Sequence, residues 1–119
     1  MTIVSAVPPQ ASLRPAATLF RSLADPARLA IVRQLVQGPA RVIDLTRALG
    51  LAQSTVSGHL ACLRGCGLVT VRPHGRASVY SLAQPALLDL LAAAGAVLEA
   101  TGKDLGSGQN RPLIELYSR

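Results

Sequence analysis

The 119-residue sequence has no tryptophan, one phenylalanine and two tyrosines. Its core must therefore be built from Leu, Val, Ile and Ala, and at this length several helices have to share it to bury enough surface. Such a core is thin, so a second subunit is expected to cover apolar helix faces. Cysteine is almost absent. Cys62 and Cys66 stand four residues apart and cannot staple a disulfide scaffold, which implies a reducing, cytoplasmic setting. No apolar run approaches the roughly 18 residues of a membrane span, and residues 1–15 lack the basic start and long apolar segment of a signal peptide. No Ser/His/Asp set, paired carboxylates or phosphate-cradling glycine loop can be assembled, and a Cys62 nucleophile with His59 as base lacks an orienting carboxylate, so an enzyme is not expected.

What is present in excess is arginine, unevenly placed. Residues 1–84 hold nine arginines against Asp25 and Asp44, a balance of +7, while residues 85–119 balance to −1. An arginine-rich surface offers planar bidentate donors to phosphate, and nucleic acid is the commonest partner it implies.

Punctuation organises the chain. Asp25-Pro26 offers an N-cap followed by proline at the first helical position, and Leu29, Val32, Leu35 and Val36 recur at helical spacing until Gly38-Pro39, predicting a helix over 26–37. Ahead of it, Leu13, Ala16, Ala17, Phe20 and Leu23 form another apolar stripe. Val42 or Ile43, Leu45, Ala48 and Leu49 mark a short helix closed by Gly50, and 53–65 reads as a helix after a gap of only three or four residues. Two short helices so closely joined on a basic chain outline a helix-turn-helix. After Gly67 the period falls to two: 68–72 and 77–82 are strands around the turn cluster Pro73-His74-Gly75-Arg76, a wing. From Pro85, a helix with Leu87, Leu88, Leu90, Leu91, Ala94, Val97 and Leu98 is apolar all round and is predicted to be buried by a partner. Leu87, Leu91, Ala94 and Leu98, with Leu19 and Leu23, are expected across a two-fold axis. The predicted fold is mainly α with a small β-hairpin, a winged helix-turn-helix of order ααααββα forming a homodimer. Residues 1–15 read as a flexible arm, 16–105 as the DNA-binding and dimerisation domain, and 106–119 as a tail. The tail's Gly106-Ser107-Gly108 fits either a native variation or an engineered junction.

In the helix over 53–65, Val56, Leu60 and Leu63 fall on one face at 100° per residue, while Ser54, Ser57, Gly58 and Ala61 gather opposite. Small side chains let a helix backbone approach the major groove, and Gln53, Ser54 and Ser57 near its start can hydrogen-bond phosphates or base edges. Gly58 is read as a close approach or as simple tolerance of glycine. His59, on the flank, is read as a DNA-phosphate or structural hydrogen-bonding residue. Arg64 and the wing residues Arg72, His74 and Arg76 supply cations for phosphate. Cys62 and Cys66 form an i, i+4 pair that can offer two thiolates to one soft metal ion or serve as small core residues. Two ligands are too few for a tight site, so a third must come from elsewhere.

Leu23-Ala24-Asp25-Pro26-Ala27-Arg28, Thr55-Val56-Ser57-Gly58-His59-Leu60 and Gly67-Leu68-Val69 occur in the order and spacing of the ArsR/SmtB family of winged-helix repressors, which the chain resembles over roughly residues 16–101. The resemblance implies a dimeric repressor of double-stranded operator DNA and adds Thr55 to the DNA-facing set. Cys62-Leu63-Arg64-Gly65-Cys66-Gly67-Leu68 is similar to the cadmium- and lead-sensing branch, which implies Cd(II) or Pb(II) as effector on Cys62 and Cys66 and release of DNA when metal binds. The sequence departs from that pattern at Ala52, where a Ser N-cap is usual, and at Gly58, where a second His is common. It also lacks the tail cysteine that completes the branch's site. Arg41 and Ile43 stand where the arsenic-sensing branch has cysteines, and the last helix, with Asp89, lacks the histidines of the zinc site. The other readings left open are a family repressor with no metal response or with a redox or other input, and a helical interaction module that does not bind DNA.

Overall fold

The computed structural model describes residues 10–102, so residues 1–9 of the expected arm and the tail over 106–119 lie outside the described residues. The chain folds as α1 (Gln10–Leu23), α2 (Pro26–Val36), β1 (Ala40–Arg41), α3 (Val42–Leu49), α4 (Gln53–Gly65), β2 (Val69–His74), β3 (Ala77–Leu82) and α5 (Ala86–Ala100). This is a winged helix-turn-helix, with one strand more than the sequence predicts. The two residues of β1 pair antiparallel with Val79 and Tyr80, giving the sheet order β1-β3-β2. So short a strand carries no periodicity, and only its partner defines it. Helix α1 begins at Gln10, six residues before the boundary read at residue 16. Pro15 lies inside it, although proline usually breaks a helix by removing a backbone donor.

Local chemistry accounts for the other boundaries. Asp25 caps α2: its backbone is extended, its Oδ2 accepts the Arg28 N–H at 3.2 Å, and Pro26 follows at the first helical position. Gly50 closes α3 in the left-handed region at φ +69, where a Cβ would be strained. At the other end of α3, Asp44 accepts the Arg41 backbone N–H at 2.9 Å and pairs with its guanidinium at 3.1 Å. That hydrogen-bonded guanidinium holds the Asp44 carboxyl below its ordinary pKa. In the wing, Pro73 falls on β2, an edge strand where a missing N–H is tolerated. The turn is the two-residue Gly75-Arg76 between the paired His74 and Ala77, with Gly75 at φ +66.

One aliphatic cluster joins these elements. Ile31, Val32 and Leu35 of α2, Leu45 of α3 and Val56, Leu60 and Leu63 of α4 form its centre, with Leu68 and Val69 at the start of the wing. Leu23, Leu87 and Leu91 belong to the same cluster. This corrects their placement on a two-fold axis: helical spacing marks a buried face without saying which chain buries it, and here the chain's own core does. Leu19 and Leu90 pack against the cluster, and Ala94 and Leu98 are half-buried. Among the described residues, no helix is long and apolar enough to cross a membrane.

Candidate nucleic-acid interface

Burial of Val56, Leu60 and Leu63 fixes the rotation of α4 and turns Gln53, Ser54, Thr55, Ser57, Gly58, Ala61, Cys62 and Arg64 to solvent. The helix starts from Ala52, whose side chain provides no cap, so no side chain competes for the first-turn N–H groups. The missing Ser N-cap thus leaves donors facing outward from an end that carries partial positive charge. A Cβ on Gly58 would meet nothing within 4 Å, and its φ is not in the left-handed region. The fold itself does not require glycine there.

The wing carries two guanidinium cations and a histidine. Arg72, His74 and Arg76 are all exposed, and Arg76 occupies the hairpin tip. Arg72 and His74 alternate onto one face of β2 and, with Pro39, Val79 and Ser81, line a shallow concavity. Among the described residues, neither Arg64, Arg72 nor Arg76 is in an ion pair.

The cysteines sit at the end of α4. Cys62 is exposed, while Cys66 is half-buried against the core, and both are free thiols. Cys66 is the C-cap residue: its N–H donates to the Cys62 carbonyl at 3.2 Å. The next two residues complete a Schellman cap, the Gly67 N–H donating to the Arg64 carbonyl at 2.9 Å and the Leu68 N–H to the Leu63 carbonyl at 2.9 Å. Gly67 takes the left-handed φ of +76 that this cap needs. Among the described residues, no group of three or more His, Cys, Asp and Glu side chains could hold a metal ion. The donor set on the chain's described part is these two thiols.

His59 departs from the rest of the exposed set. Its side chain is 22% exposed and turns toward α2, with Nε2 3.5 Å from Asp25 Oδ2 and Nδ1 3.5 Å from Arg28 Nη1. A guanidinium can only donate, so Nδ1 is the acceptor of that hydrogen bond, and Nε2 faces the carboxylate. Arg28 also donates from Nε to the Ser22 carbonyl at 2.6 Å and from Nη2 to the Arg21 carbonyl at 3.3 Å. Asp25 is thus the carboxylate that the sequence reading did not find for His59, yet both ring nitrogens are engaged and neither is left for Cys62. The sequence marks Asp25 as a cap and Arg28 as part of a motif, but nothing in it brings them to His59.

Outside the core, two apolar stripes stay uncovered among the described residues. On α1 the stripe runs through Leu13, Ala17 and Phe20, with Phe20 57% exposed; on α5 it includes Ala93 and Val97, with Val97 61% exposed.

Comparison with known proteins matches this arrangement. A family model described as "Bacterial regulatory protein, arsR family" covers residues 25–71, from the α2 cap to the first wing strand. The HTH-type transcriptional regulator CmtR of Mycobacterium tuberculosis is 49% identical over 67 residues, which are 56% of this chain and 57% of CmtR. A probable mercury resistance operon repressor of Streptomyces lividans is 33% identical over 102 residues, covering 80% of this chain and 82% of that one. Among solved structures, a homodimeric winged helix-turn-helix DNA-binding domain of Mycobacterium bovis, described as a possible ArsR-family transcriptional regulator, superposes with a TM-score of 0.70 at 29% identity. That match covers 81% of this chain and 92% of the domain. A helix-turn-helix with an uncapped, outward-facing second helix, a cationic wing and these relatives together make the chain a member of the ArsR family of bacterial regulatory proteins.

Proposed function

We propose that the chain is a homodimeric transcriptional repressor that places α4 in the major groove of operator DNA and lets go when a soft metal ion, Cd(II) or Pb(II), binds Cys62 and Cys66. The observation that carries the DNA half is the outer face of α4. Gln53, Ser54, Thr55, Ser57 and Gly58 are all exposed, small or polar, and flanked by Arg64, Arg72 and Arg76, which among the described residues are in no ion pair. Backbone approach and polar side chains suit base edges, and the arginines suit phosphate. Such a role places the chain in the cytoplasm.

The metal half is supported by two thiols one helical turn apart, a soft donor set, and by a relative whose name is that of a mercury resistance operon repressor. Further donors come from water or the partner subunit. The chain's own geometry supports a coupling. Cys62 stands in solvent and Cys66 packs on the core as the C-cap, so drawing both sulfurs to one ion pulls the end of the recognition helix away from its Schellman cap. Selecting duplexes from a random pool with the reduced protein and challenging the complex with Cd(II) tests both halves: a selected operator supports the first, its release the second.

The dimer is supported by the uncovered stripes of α1 and α5 and by the homodimeric M. bovis domain. Light scattering is expected to give a dimer mass for the wild type and a monomer mass for Phe20→Glu/Val97→Glu, with the helical circular dichroism unchanged. A wild-type monomer at micromolar concentration contradicts the assembly.

A further inference from the structure

The exposed residues of α4 have been assigned to DNA or, for Cys62, to metal, which leaves the inward histidine without a role. His59 sits on the recognition helix, yet its imidazole is bound on both sides by the N-terminus of α2. The same Arg28 guanidinium that donates to His59 also holds the carbonyls of Arg21 and Ser22 at the C-terminal end of α1. Ser22 is buried at that junction, its Oγ donating to the Leu19 carbonyl at 2.8 Å. One guanidinium therefore joins the recognition helix to the helix that carries Phe20 and the proposed dimer face.

We infer that His59 is a positioning residue: through Arg28 and Asp25 it sets the angle of α4 relative to α1, and so the separation and tilt of the two recognition helices in the dimer. This rests on the DNA-binding dimer proposed above. The chemistry suits a strut. Imidazole can accept from Arg28 at Nδ1 while its Nε2 lies 3.5 Å from the Asp25 carboxylate, which no aliphatic side chain can do. Arg28 spends its fork on three acceptors from two helices, an arrangement lysine cannot reproduce. A recognition helix held by core packing alone retains its rotation, because Val56, Leu60 and Leu63 fix it, but loses a polar restraint at mid-length.

The test compares wild type, His59→Leu, His59→Gln and Arg28→Lys on the operator selected by wild type and on the same operator with two base pairs inserted between its half-sites. The ratio of the two affinities reports spacing and does not depend on the fraction of active protein. His59→Leu is expected to reduce this ratio by about tenfold, the size of losing a hydrogen bond to a charged group. His59→Gln, whose amide both accepts and donates, is expected to restore most of it. Arg28→Lys, which leaves position 59 untouched, is expected to lose it as His59→Leu does, and keeps the test open should the leucine variant fold poorly. The dependence of affinity on salt is expected to stay at the wild-type slope in all four proteins. A smaller salt slope in His59→Leu with an unchanged ratio would make His59 a phosphate contact and overturn the proposal, as would a ratio unchanged in both His59→Leu and Arg28→Lys. If wild type selects no duplex at all, the DNA-binding reading fails first, a separate and recognisable result.

Discussion

Raising salt from about 50 to about 200 mM is expected to weaken operator binding roughly a thousandfold, because log K falls by about 0.9 per phosphate contact on a logarithmic salt scale and three arginines from each of two subunits offer six contacts. The three are Arg64 at the end of α4, Arg72 on β2 and Arg76 at the hairpin tip, all exposed and, among the described residues, outside any ion pair. Arg41 serves as a contrast, since its guanidinium is already tied to Asp44 at 3.1 Å. In Arg76→Ala two contacts of the dimer disappear, and the same salt step is expected to weaken binding only about a hundredfold. The tip lies beyond the last paired residues, His74 and Ala77, so the fold is untouched by the change. Fluorescence anisotropy at a series of salt concentrations measures both slopes. Equal slopes for wild type and Arg76→Ala would remove Arg76 from the interface.

Cadmium is expected to lower the operator affinity of the reduced wild type by about 5- to 150-fold, the range spanned by coupling free energies of about 1 to 3 kcal/mol. The Cys62→Ser/Cys66→Ser protein is expected to keep its affinity in the same solution. A thiolate-to-metal charge-transfer band in the ultraviolet should accompany the wild-type response and be absent from the double variant. Because each thiol must lose its proton to bind, the band should weaken as pH is lowered. Cys62 is exposed and so open to the ion, whereas Cys66 has to leave part of its packing against the core. Single variants are therefore expected to separate capture from response, with Cys66→Ser losing the effect on DNA more completely. No band with reduced wild type, or equal release of DNA from the double variant, would leave the pair as ordinary structural cysteines.

The elements with strong local signals were legible in the sequence. The recognition helix follows from Val56, Leu60 and Leu63 at helical spacing between Gly50 and Gly67, and the cap of α2 from Asp25-Pro26. The wing follows from alternation around Pro73-His74-Gly75-Arg76, although the turn tightened to two residues because Pro73 is tolerated on an edge strand. What depended on partners distant in sequence was not legible. Strand β1 exists only through its pairing with Val79 and Tyr80. The apolar spacing of Leu23, Leu87 and Leu91 announced a buried face, and only the packed chain shows that its own core buries them. The end of the arm read at residue 15 falls within α1, which begins at Gln10 and contains Pro15. His59 was placed on the flank of α4 by its angle alone, because Asp25 and Arg28 reach it from more than thirty residues away.

The account's central claim is that two copies of α4, carried by one dimer, lie in successive major grooves on the same side of the duplex. Hydroxyl-radical footprinting of the selected operator with reduced, metal-free protein measures this directly. The predicted result is two protected half-sites about 10 to 10.5 base pairs apart, one helical turn, each flanked by weaker protection where the wing tip with Arg76 meets the backbone. A single protected patch, or a protected pattern unchanged in Phe20→Glu/Val97→Glu, would contradict it.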